Sequence, residues 1–118
     1  MILAHGSRSK TWTPKHCACF TDRTDAALAY AGSAGWIHLY EVDVSGAVDV
    51  EGYDHDSDSA PGDDGTLPAD VVTYADADET GRQHTTWRIR DGYPCRLVAV
   101  LSAEEAEEIG ASTAAGLV

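Results

Sequence analysis

Gly35-Trp36-Ile37-His38-Leu39-Tyr40-Glu41-Val42-Asp43-Val44 is the stretch on which the fold turns. Trp36, His38, Tyr40, Val42 and Val44 point one way, and Ile37, Leu39, Glu41 and Asp43 the other. A period of two with β-branched and aromatic residues predicts a β-strand. Ser45-Gly46 turns the chain, and Ala47-Val48-Asp49-Val50-Glu51 continues extended.

The same reading extends to both ends. Residues 2–5 form a short strand that stops at Gly6, and residues 6–16 form a polar loop around Pro14. Residues 17–20 make a second short strand. A helix follows, capped by Thr21 or Thr24, with Asp25 in its first turn and Gly32 as its stop. Residues 70–74, 84–90 and 95–101 are further strands, the last two separated by the turn Asp91-Gly92-Tyr93-Pro94. In residues 84–90, Thr86, Arg88 and Arg90 face away from Thr85, Trp87 and Ile89. Ser102-Ala103-Glu104-Glu105 is a capping box that opens a final short helix.

Many short strands with two small helices predict a compact α+β domain, with mostly antiparallel strands in two small sheets and two short helices. The domain is expected over residues 1–110, with a mobile acidic loop at 52–69 and a frayed tail at 111–118.

The 118 residues carry 8 Lys and Arg against 20 Asp and Glu, a net charge of −12. That balance excludes a general nucleic-acid binder, which needs positive surface to displace counterions from phosphate. It also argues against an anionic membrane surface, and no apolar run reaches the roughly 20 residues that span a bilayer. Residues 1–5 are too short and uncharged for a secretory signal. Thirteen acids and no Lys or Arg lie between Glu41 and Glu79. Mildly basic pieces flank them, and if these meet in space they hold a small anion inside an acidic surface.

Three cysteines, an odd number, read as reduced thiols in a cytoplasmic protein. Cys17-x-Cys19 puts both thiols on one strand face, a poor chelate even with His5, His16 and Cys95 in reach, so no metal is assigned. Asp54-x-Asp56-x-Asp58 begins like a calcium loop, but Ser59 and Gly65 stand where that loop needs its Gly and Glu. No nucleophile elbow, Walker A or dinucleotide-fold glycine motif occurs.

An order of short blocks remains: His5-Gly6-Ser7 closing the first strand, Cys19-Phe20-Thr21, the helix with Asp25-Ala26-Ala27, Gly35 to Val42, and Gly46 to Glu51. Thr86-Trp87-Arg88-Ile89-Arg90 and Arg96 to Val100 follow. Over about residues 2–101 this order resembles the ADP-ribosyltransferase fold. It is most similar to the small rifamycin-inactivating ADP-ribosyltransferases. The resemblance implies an NAD+-dependent mono-ADP-ribosyltransferase that moves ADP-ribose from NAD+ to a small-molecule or protein acceptor. It implies that His5 hydrogen-bonds the nicotinamide ribose and that the Gly6 backbone holds the nicotinamide amide. Glu51, with Asp49 as fallback, supports the cationic transition state. Cys19 takes the position of a ring that stacks on nicotinamide, with Tyr30, Trp36 and Trp87 as rings available to stand in. Ser7 and Arg8 follow the His-Gly, and Arg8 with Arg88 or Arg90 supplies pyrophosphate donors. The resemblance leaves open an inactive nucleotide-binding or interaction domain on the same scaffold, and an NAD+ glycohydrolase. The expected assembly is a monomer or weak homodimer.

Overall fold

A computed structural model describes residues 1–15, 17–50, 53, 59–77 and 81–118. His16, Glu51, Asp54, Asp56, Asp58 and Glu79 lie outside the described residues.

The chain runs β1 (Ile2–Ser7), β2 (Cys19–Thr21), α1 (Thr24–Ala31), β3 (Trp36–Val42), β4 (Val48–Asp49), β5 (Val71–Ala77), β6 (Gln83–Ile89), β7 (Cys95–Ser102), α2 (Ala103–Ile109) and a closing 3-10 turn (Ala114–Leu117). Among the described residues the strands form one sheet in the order β4-β5-β6-β2-β1-β3-β7, not the two small sheets expected from sequence. All pairings are antiparallel except β4 with β5. The reason two sheets look natural is still visible. β1 pairs with β3 from Ile2↔Glu41 to Ser7↔Trp36, but with β2 at Ala4↔Thr21 alone. The sheet is therefore four strands and three strands joined at a narrow seam.

β3 lies inside the three-strand group, covered on both faces. Ile37 and Leu39 enter a cluster with Ala4, Ala27, Ala31 and Ala106, beneath the two helices. Tyr40 and Val42 enter a second cluster on the opposite face, with Leu3, Phe20, Val71 and Ile89, and Trp12 packs against it from the loop after β1. Helix α1 seats directly on β1 because Gly6 has no side chain. A Cβ there would stand 1.9 Å from the Ala27 carbonyl oxygen.

Both helices start differently from one another. At α2 the capping box is present, with Ser102 accepting from the Glu105 N–H. At α1 the expected Thr cap is absent. Arg23 is the cap residue and supplies no side-chain bond. Thr21 Oγ1 instead accepts from the Arg23 N–H, and Thr24 is already inside the first turn. Gly32 closes α1 with φ of 74°, a conformation that suits glycine.

Two loop expectations also change. The stretch after Gly110 does not fray: Ala114 and Leu117 are buried in the helix-covered cluster. The Ala114 N–H donates to the Asp22 carbonyl at 2.7 Å, and Arg23 bridges Thr113. Two apolar side chains in a polar tail suffice to dock it, so the folded unit runs past 110. Within the acidic loop, residues 59–69 fold as successive turns, and Leu67 is buried against Cys17 and Val72. Among the described residues no helix is long and apolar enough to cross a membrane.

Candidate functional site

The helices sit mainly over the three-strand half of one sheet face, with α1 also meeting β2. Strand register sets what is left uncovered. Directly opposed residues on antiparallel strands share a face. Cys19, Arg88 and Val72 lie in one row, Thr21, Thr86 and Tyr74 in the next, then His84 and Asp76. All of these but Val72 floor a cleft of about 340 Å³, walled by Tyr30 of α1 and by Ala60, with His5 and Gly6 at the seam. That volume is at the lower end of small-molecule sites, about 300–1,000 Å³.

His5, Gly6, Cys19 and Arg88, singled out from three separate parts of the sequence, meet at this cleft. Ser7 and Arg8 do not line it. Ser7 accepts from the Ser9 N–H, and Arg8 is exposed. Arg90 turns away and reaches the Leu67 carbonyl at 2.8 Å and Asp70 at 3.2 Å. Asp49 is exposed at the far edge of the sheet on β4. Glu51 itself lies outside the described residues. Its described neighbours on either side both meet β5: the Val50 N–H donates to the Thr73 carbonyl at 2.9 Å, and the Tyr53 ring packs on Tyr74 at 4.9 Å.

By alternation His5 leaves β1 on the face opposite Gly6, so it closes the cleft at the seam rather than standing on the floor. Its ring is stacked on Trp12, with centroids 3.6 Å apart and planes within 9°. Its Nδ1 lies 2.7 Å from the Cys19 carbonyl oxygen. A carbonyl only accepts, so Nδ1 carries the proton and Nε2 keeps its lone pair. Burial pushes the imidazole below its usual range, opposed by that backbone bond and assisted by nearby His38. The ring is therefore neutral at pH 7, with Nε2 as an acceptor for a hydroxyl. His38, buried on β3, donates from Nε2 to the Ser9 carbonyl at 2.9 Å and so pins the loop that carries Trp12.

Across Cys19 from the seam stands Arg88. Its Nη1 is 3.1 Å from the Asp63 carboxylate. Its Nε is buried with no hydrogen-bond partner. Burial works against the guanidinium charge, but Tyr74, Cys19 and Asp63 more than offset it, so the group is held cationic. Burial also raises Cys19, against the pull of Arg88, and keeps it a neutral thiol. A thiol packs softly where the resemblance expects a ring. Of the three rings considered as stand-ins, Tyr30 lines the cleft, whereas Trp87 packs against the second core cluster and Trp36 lies under the Lys10 ammonium at 4.8 Å.

Several site residues escape the sequence reading. Trp12 comes from a polar loop and gives no periodic signal. His84 shares its parity on β6 with Thr86 and Arg88, which is the one hint the sequence carries. It is only 6% exposed, and neither ring nitrogen has a partner. Buried polar atoms are nearly always satisfied, so such a group is a marked exception.

A neutral imidazole at the seam, a cation across Cys19 from it and hydrogen-bonding side chains along the floor suit a polar ligand carrying one anionic group. No family model, curated protein or solved structure matches this chain.

Proposed function

We propose that the chain is an NAD+-dependent ADP-ribosyltransferase whose cleft takes the nicotinamide-ribose half of the dinucleotide. The observation that carries this reading is the convergence of His5, Gly6, Cys19 and Arg88 on one cleft. His5 Nε2 accepts from a ribose hydroxyl and fixes the sugar. Arg88 takes a pyrophosphate oxygen. Neutral Cys19 packs against the nicotinamide ring. Glu51, by the resemblance, supplies the carboxylate that supports the positive charge developing on the ribose as the glycosidic bond breaks.

In the step itself the bond from ribose C1′ to the nicotinamide nitrogen breaks, and its electron pair leaves with neutral nicotinamide. The acceptor's lone pair forms the new bond at C1′, and the acceptor releases a proton.

Nicotinamide release from NAD+ by the purified protein tests the reading. Release is expected in the presence of a competent acceptor, with Glu51→Gln lowering the rate by about 100-fold or more while NAD+ binding persists. Release to water alone marks the protein as a glycohydrolase. Binding of NAD+ with no release marks an inactive nucleotide-binding domain, a reading favoured by the thiol at Cys19. Failure to bind NAD+ overturns the nucleotide reading.

A further inference from the structure

We infer that the cleft binds sugar phosphates in one orientation, with phosphate on Arg88 and sugar hydroxyls on His84 and Asp76, and that Asp63 of the chain itself occupies the phosphate position at rest. The inference rests on the reading of the cleft as a site for a phosphate-bearing sugar, not on any bond-breaking step, and it moves the sugar hydroxyls from His5 to the His84 and Asp76 end.

Two buried groups point to a ligand independently. His84 has both ring nitrogens unsatisfied at 6% exposure, and Arg88 has an unsatisfied buried Nε. They lie on one face of β6 with Thr86 between them, and four strand residues span roughly 13 Å. A ligand that satisfies both is therefore elongated. The two ends differ in charge. His84 lies directly across from Asp76, whose Oδ1 accepts from the Ala77 N–H. A carboxylate beside an imidazole repels phosphate and suits neutral hydroxyls, which donate to the one and exchange hydrogen bonds with the other. Arg88 carries the cation, and its exposed face already holds a carboxylate.

That carboxylate is Asp63. It sits in a surface turn, with its side chain 49% exposed against 18% for Arg88. The turn lies against the site through Gly62, where a Cβ would come within 3.1 Å of Arg88 Nη1. An ion pair that is half in water is weak and exchanges readily with a ligand phosphate offering more oxygens. Asp63 is thus a displaceable stand-in: it keeps the guanidinium paired while the cleft is empty, and a phosphate competes with it.

Calorimetric titration of the whole chain with ribose 5-phosphate, inorganic phosphate and ribose separates the parts. Ribose 5-phosphate is expected to bind at least about tenfold more tightly than phosphate, the value of one or two added hydrogen bonds. His84→Gln and His84→Ala should reduce that preference about threefold or more and leave phosphate binding unchanged. Arg88→Ala should weaken both ligands by about tenfold or more. Asp63→Asn should tighten both by about twofold to fivefold. Asp64→Asn makes the same charge change without touching Arg88 and should do nothing. If Arg88→Ala fails to fold, Asp63→Asn decides the phosphate end by itself. The inference is overturned if no ligand binds, if His84 variants lose both ligands equally, or if the Asp63 and Asp64 variants behave alike. Sugar-phosphate preference without nicotinamide release removes the transferase and leaves this orientation standing. Release without that preference removes only the orientation.

Discussion

At the scale of single residues, His5 shows how one side chain meets two demands. Its Nδ1 supplies a bond that the backbone ladder cannot make where β1 and β2 part, and its flat face covers Trp12. The hydrogen bond survives protonation, because the imidazolium also carries Nδ1–H, and it is burial that disfavours the charged ring. The folded state holds the imidazole below 6.5, whereas the unfolded chain takes up the proton at that value, so His5 stabilises the fold above pH 6.5 and withdraws that support as the pH drops below it. Side-chain NMR should find the Nδ1–H tautomer at pH 7 and a midpoint below 6.5. In His5→Ala the loss of stack and hydrogen bond should cost about 1–3 kcal/mol at neutral pH, read by denaturant unfolding. Because the wild type loses His5's support on acidification, the gap between the two proteins should narrow toward pH 5. The sequence identifies His5 as a strand-end histidine, but not the tryptophan beneath it. Six residues separate them, the last four in a loop, and a loop has no period to read.

At the scale of elements, the contact between α1 and β1 is made through backbone. The Ala27 carbonyl occupies the space a side chain at position 6 would need, and Gly35 meets the Ala31 carbonyl oxygen in the same way, at 2.1 Å from an added Cβ. Gly6→Ala should therefore lower stability by about 3 kcal/mol, with no rescue from Ala27→Gly, since the obstructing atoms are main chain. Urea unfolding of the single and double variants checks both statements. Strand and helix positions were largely legible: alternation in residues 36–44 gave β3, and Ser102 with Glu105 gave the start of α2. What local sequence could not carry was the pairing. Whether β2 joins β1 at one residue pair or at none decides between one sheet and two, and that depends on Ala4 and Thr21, seventeen residues apart. The missing Thr cap of α1 has a similar cause. Arg23 is drawn to Thr113, ninety residues along the chain, and this sets where the helix begins.

At the scale of the whole molecule, the last residues complete the helix-covered core. Leu117 is 5% exposed there. Truncation after Gly110 should cost about 2–3 kcal/mol, the burial of one leucine plus smaller contributions, measurable as a lowered urea midpoint. The cleft follows from a mismatch of areas: two short helices roof three strands, and four strands remain. Charge patterning allowed the basic pieces to meet around an anion; of the arginines considered, Arg88 alone lines the cleft, paired with Asp63, while Arg8 is exposed and Arg90 pairs with Asp70. The seam gives the molecule a mechanical asymmetry. Beneath it Trp12, Phe20 and Tyr40 are packed edge to face, like the glued spine of a book, while above it α1 reaches across, with Tyr30 against His84 and Asp25 paired with Arg82. Those two straps tie the covers together from above, so the breadth of guest the protein admits is set by the helix as much as by the spine.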